Sequence, residues 1–374
     1  MRHGFGMDQT AVQDHGFRTL DRLTLADLEA IRLLLRGGSV IDWHRLNFQS
    51  EEDAGEFVRV QEIYLERDAD RQRVEAVRDA AINYLRRNFD FPVPRPIQEA
   101  GLVDLLMLAS RKGHRQLCAC TILKVMHIIH HLEARELLFM LPVSDQELFH
   151  LVEQKVYRVV GGMLARGFPI LEFIGGRKNK DSLYTKLMSK PEATAAQIYD
   201  KLRFRIVTRE PSDIFPTLNY LNRRVCPYNY VIPGQSTNTM FDFSAYCQEH
   251  PHLKGLLGQV QLSHDLERMH DNDDNRFSAS SYKVVHFVAD MPIRLTQEVL
   301  EQAPPGAWEL GPLIFVQAEF QVIDRQTEQA NELGEASHSA YKQRQREEVM
   351  RRLKLGLEAS ARRPDEPPSS NGSE

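Results

Sequence analysis

Over the first 165 residues or so, apolar side chains return every three or four positions. From Arg18 to Leu35 they fall at Leu20, Leu23, Leu25, Leu28, Ile31, Leu34 and Leu35, the stripe of an amphipathic helix. Val58 to Phe89 keeps helical spacing through a charged segment and predicts one long helix, closed by the proline-rich run Phe91 to Ile97. Leu102 to Leu108 and Leu117 to Leu132 predict buried helices. Ser144 and Glu147 have the spacing of a capping box ahead of Leu148, Leu151, Val152, Val156, Val159, Val160 and Met163, a helix with a marked start.

The texture then changes. Pro169 to Ile174, Phe204 to Thr208, Lys283 to Val288 and Leu313 to Ile323 are rich in Ile, Val and Phe and predict strands. Helical patterns lie between them, at Ser182 to Ser189 and at Ser212 to Arg223 behind Pro211. The predicted fold class is α+β, a mixed β-sheet flanked by helices behind an N-terminal all-helical region. The predicted division is 1–165 helical, 166–343 α+β with an insertion at about 232–280, 344–361 a basic helix and 362–374 a tail too poor in apolar residues to fold.

Composition narrows the partners. The 374 residues carry 47 basic and 52 acidic side chains, a net charge of −5, so a polyanion would have to be met by a local basic patch. The apolar stretch from Thr121 to Leu132 is interrupted by Lys124 and three histidines, so no membrane partner is expected, and the N-terminus lacks the apolar core of a signal peptide. Cys118, Cys120, Cys226 and Cys247 match neither a disulfide frame nor a zinc site, and read as free thiols of a cytoplasmic protein.

Chemistry concentrates after residue 170. Gly175 and Gly176 lead into Arg177, Lys178, Asn179, Lys180, Asp181 and Ser182, with Lys186 beyond. Following a strand and opening a helix, the segment reads either as a polyphosphate cradle of amides and cations or as a solvated basic turn. Asp200 stands just before a strand, and Glu319 inside an apolar one. A carboxylate in that setting is costly unless paired. Two such groups are apt for one hard cation such as Mg²⁺, or else each faces solvent. His127 and His131 have helical metal-ligand spacing but no third ligand, and read as partly buried helix residues. Asp271, Asp273 and Asp274 lack the glycine and glutamate of a calcium loop.

The order of these pieces resembles the synthetase domain of the RelA/SpoT family. Arg177, Lys178, Lys180, Ser182 and Lys186 come first, then Asp200 with Arg205 five positions on. Tyr282 and His286 follow, then Glu319 with Gln321, and then Glu332, Gly334, Ala336, His338, Tyr341 and Lys342 at unbroken spacing. The resemblance covers about 175 residues. It departs from the family at Ile323, where an arginine is usual, at Asp181 and Ser281, and in the long segment between Tyr230 and Tyr282.

What the resemblance implies is a nucleotidyltransferase-like fold and transfer of pyrophosphate from ATP to the 3′-hydroxyl of GDP or GTP. Asp200 and Glu319 would be catalytic and hold Mg²⁺, and Arg177, Lys178, Lys180, Ser182, Lys186 and Arg205 would bind the donor. Tyr282, His286, Gln321, Glu332, His338 and Lys342 would bind or brace the acceptor. An adenine nucleotide or the 3′ end of tRNA as acceptor, or an inactive nucleotide-sensing module, stays open beside it. The His-Asp pairs at His264 and His270 lie in the insertion, so an alarmone hydrolase site in the N-terminal helices is not expected.

Overall fold

Seven α-helices precede the first strand among the residues that the computed structural model describes, which are 17–37, 46–111, 113–189, 201–259, 282–333 and 337–361. They are α1 (Leu25–Arg36), α2 (Glu51–Val60), α3 (Asp68–Phe89), α4 (Arg95–Gln98), α5 (Leu102–Ala109), α6 (His114–Met140) and α7 (Asp145–Ala165). The capping box opens α7: the Glu147 N–H donates to Ser144 Oγ at 3.3 Å and the Ser144 N–H to Glu147 Oε2 at 2.8 Å.

The long helix expected from Val58 to Phe89 is instead two, α2 and α3. Glu62, at φ 63°, turns the chain between them. Tertiary contacts hold that turn against the local helical pattern. The Glu62 carboxylate pairs with Lys155 of α7 at 2.6 Å, and its carbonyl accepts from Arg294 at 2.9 Å.

A second correction concerns α6. Leu117 and Leu132, expected inside, are 62% and 63% exposed, because the buried stripe runs through Ile122, Leu123, Met126, Ala134 and Leu137. The full helix, longer than the apolar run seen in sequence, is long and apolar enough to cross a membrane by length and composition alone, with 44% of that window buried in the fold.

The strands are β1 (Ile170–Arg177), β2 (Leu202–Thr208), β3 (Thr237–Asn238), β4 (Val285–Arg294) and β5 (Leu313–Asp324). They form one mixed sheet in the order β1-β2-β5-β4-β3, with β2 and β5 parallel and the other neighbours antiparallel. The intervening helices are α8 (Lys180–Ser189), α9 (Ile214–Arg224), α10 (Phe243–Glu249), α11 (Pro251–Leu257) and α12 (Gln297–Leu300), followed by α13 (Arg325–Asn331) and α14 (His338–Ala361). The fold is α+β with helices N-terminal, as the spacing predicts. The early part of the predicted insertion is ordered structure, since Cys247 of α10 and Leu253 of α11 are fully buried. The acidic stretch Asp271 to Asp274 lies outside the described residues.

The chain divides into two compact units. The larger is drawn from residues 1–177, 199–272 and 283–328, and the smaller from 178–198, 273–282 and 329–374. The larger holds two apolar cores. One joins α1, α7 and α9 to the inner face of the sheet, and the other is built from α2, α3, α5 and α6. In the smaller unit α8 packs on α14, where Arg352 donates to the Met188 carbonyl.

Candidate functional site

Strand alternation gives the sheet two unlike faces. On the core face Phe204, Phe320 and Phe287 stack from β2 across β5 to β4, with centroids 5.4 and 5.2 Å apart. On the opposite face the register sets Arg203 beside Glu319 and Val288, and Arg205 beside Gln321 and His286. The apolar run of β5 therefore buries its even-numbered residues and sends its one glutamate to the polar face.

Glu319 is 5% exposed there. Its Oε1 accepts from Gln321 Nε2 at 2.6 Å and lies 3.5 Å from His286 Nε2. The partner that a buried mid-strand carboxylate needs is thus supplied by the next residue on the same face and by the neighbouring strand. Arg205 is mostly shielded and reaches Glu328 of α13 at 3.7 Å, while its Nε is buried without a hydrogen-bond partner among the described residues. An orphaned guanidinium donor on the same sheet face as a buried carboxylate is an unfinished polar constellation, which a phosphate oxygen would complete. Among the described residues no group of three His, Cys, Asp or Glu side chains converges as a metal cluster.

The remaining residues fall as follows. Asp200 lies outside the described residues, two positions before β2 begins. Arg177 ends β1, and Glu153 of α7 grips it in a fork, with Nε to Oε1 at 3.0 Å and Nη2 to Oε2 at 2.8 Å. Those hydrogen bonds hold its pKa above the ordinary arginine range. Lys178, Lys180, Ser182 and Lys186 belong to the smaller unit; Lys178 precedes α8, Lys180 and Ser182 open it, where Asn179 Oδ1 caps the Ser182 N–H at 2.8 Å, and Lys186 lies in its last turn. Tyr282, half-buried, and Glu332, exposed, are also in that unit. So are His338, which opens α14, and the exposed Lys342 one turn on.

The structure adds groups that the motif order does not show. Farther along the polar face, Asp290 sits beside Gln317. Burial raises its pKa to about 6, against a hydrogen bond from Gln317 and the charge of Arg135. His131 Nδ1 is 3.8 Å from Asp290 Oδ2, and its ring stacks on Phe315 at 4.2 Å. The alternation of His286, Val288 and Asp290 along β4 was the one sequence signal for Asp290.

Neither a protein-family model nor any curated protein matches the chain. Solved structures that it is similar to include small alarmone synthetase 1 from Bacillus subtilis, 13% identical, with a TM-score of 0.29 over 58% of this chain and 94% of that one. The same synthetase bound to its product pppGpp is 14% identical, with a TM-score of 0.30 over 58% of this chain and 91% of that one. A GTP pyrophosphokinase family protein from Streptococcus pneumoniae is 14% identical, with a TM-score of 0.27 over 59% of this chain and 95% of that one.

Proposed function

We propose that the chain is a Mg²⁺-dependent, cytoplasmic pyrophosphokinase that moves the β,γ-pyrophosphate of ATP to the 3′-hydroxyl of GDP or GTP. One observation carries the reading: a nearly inaccessible Glu319 shares a polar sheet face with Arg205, whose Nε has no partner among the described residues. The motif order from Arg177 to Lys342 supports it.

The donor set suits the cation. A hard ion takes carboxylate oxygens and completes its shell with water and phosphate, so Glu319 and Asp200 would suffice as protein ligands. Magnesium bound there would offset charge on the transferred group.

In this reading Arg205, with Arg177, Lys178, Lys180, Ser182 and Lys186, binds the ATP phosphates. Tyr282 stacks on the acceptor base, and His286, Gln321, Glu332, His338 and Lys342 bind or brace the acceptor. Its 3′-oxygen bonds to the β-phosphorus as the bond from the α-phosphate oxygen breaks, releasing AMP. The hydroxyl proton passes to Glu319, for which Gln321 and His286 fix one carboxylate oxygen.

Ile323, fully buried on the same face as Gln321 where the family carries an arginine, favours a second acceptor class, an adenine nucleotide or a tRNA 3′ end. The decisive assay incubates the protein with γ-labelled ATP, Mg²⁺ and each acceptor in turn. Label in a guanosine product, lost in Glu319→Gln, is expected. Label in another acceptor would move the substrate class. No transfer to any acceptor, with ATP still bound, would leave a sensing module.

A further inference from the structure

Within the larger unit a cavity of about 70 Å³ opens between α2, α3, α5 and α6 on one side and the end of β4 and start of β5 on the other. Its walls are apolar, with Val77, Leu106, Leu123, Met126 and Leu313 among them. Two polar side chains in the lining are incompletely satisfied. Arg73 spends its Nη2 on Glu133 and the Leu310 carbonyl, but its Nε is buried without a partner among the described residues. His130 Nε2 is likewise buried and unpartnered among the described residues. The two are close enough for the Arg73 charge to act on the imidazole.

The surrounding charges select the kind of guest. Arg73 pairs with Glu133, and Arg294 with Asp70, so the charged lining already balances. Burial first, and then Arg73, pulls the His130 pKa down to about 4, and burial likewise lowers those of His127 and His131, so the imidazoles add no charge near neutrality. A carboxylate entering here would be a buried charge without a counter-ion. A carbonyl oxygen would accept from the Arg73 N–H and from the Nε2–H tautomer of His130, and a hydroxyl could instead donate to Nε2 of the other tautomer, at no such cost. The volume is about half that of an apolar cavity that holds benzene, at ~150 Å³. It suits a compact aliphatic group of a few heavy atoms.

We propose that this cavity is a binding site for a small neutral molecule with a compact aliphatic body and one acceptor oxygen, seated on Arg73 Nε–H and His130 Nε2. The cavity meets the sheet at Arg294 and Leu313, at the opposite end of β4 and β5 from His286 and Glu319, and its test needs no enzymatic turnover.

The probes are acetone, isobutene and acetate, near-isosteric with one another, titrated into the full chain labelled with ¹⁵N-histidine. The expected result is a saturable shift of the His130 ring nitrogens by acetone in the millimolar range. Isobutene should bind roughly tenfold more weakly, the scale of one buried hydrogen bond left unmade, and the carboxylate no more tightly than the ketone. Met126→Trp, which fills the space, should abolish the shift. Arg73→Lys keeps the charge opposite Glu133 but removes the Nε–H, and should weaken the ketone about tenfold while leaving isobutene unchanged. If Met126→Trp does not fold, the Arg73→Lys comparison decides. A shift that never saturates, or that survives both substitutions, means that the cavity holds water only and overturns the proposal. Tightest binding by the carboxylate would overturn the neutral class.

Discussion

Arg294, at the end of β4, ties the turn between α2 and α3 to the sheet. It grips Asp70 with both terminal nitrogens, at 2.8 and 2.6 Å, and also donates to the Glu62 carbonyl. Asp70 is only 5% exposed and keeps one other described donor, the Tyr64 N–H at 2.8 Å. Arg294→Met removes the guanidinium but leaves that buried carboxylate, a change that costs about 3–5 kcal/mol when one partner of a buried pair is lost. The unmet Glu62 carbonyl adds about 1 kcal/mol or more. Urea unfolding followed by circular dichroism measures the loss directly. The double variant Asp70→Leu/Arg294→Met should be less destabilised than the sum of the two singles by roughly 0.5–3 kcal/mol, because it leaves no uncompensated charge. A single-variant loss below about 1 kcal/mol, the scale of a solvent-exposed pair, or strict additivity in the cycle, would refute the reasoning.

Other outcomes follow from the same structure. Ser144→Ala removes the side-chain oxygen that caps α7 and should cost about 1 kcal/mol in urea unfolding, with the sheet face unaltered. Gly175→Ala would set a Cβ 2.7 Å from Tyr157 Oη and 3.1 Å from Phe204 Cδ1, so a loss of about 1–3 kcal/mol is expected; a neutral result would mean that the tyrosine swings clear. His130 titrates at about 4 in the fold because burial, and then Arg73, disfavour its charged form. The unfolded chain therefore takes up this proton first, and stability should fall as pH drops from about 6.5 to 4. His130→Phe should move acid unfolding to lower pH. Asp290 has the opposite sign: held at about 6 by burial, it should cost stability as pH rises from 3.8 to 6, a slope that Asp290→Asn should remove.

Local signals carried well into the fold where the local chemistry decides the outcome. The Ser144 and Glu147 box is satisfied by its own backbone amides, so its spacing alone places the start of α7. The apolar run of β5 is legible because the strand is buried at the centre of the sheet. The break after α2 was not legible, since Lys155 and Arg294, far away in sequence, hold Glu62 in its turn. β3 has two residues and exists by pairing with His286 and Val285, so no window of sequence could show it. At the candidate site, the cost of burying Glu319 was readable, but Gln321 and His286 as its contacts needed the register. Arg73 and His130 meet across a fold whose lining is scattered from residue 57 to 313, and no spacing announces such a site.

The strand order bears on how the chain must be made. β2 and β5 are parallel neighbours at the centre of the sheet, yet about a hundred residues separate them, and β5 is synthesised last of the five strands. Until Leu313 to Asp324 leaves the ribosome, β2 and β4 each carry a row of unpaired amides and carbonyls along the edges that β5 will later close. A nascent chain halted before Leu313 therefore presents two open edges flanking an empty lane, a template for pairing with a second chain. Its yield in the cell should depend on holdase chaperones far more than that of the finished protein.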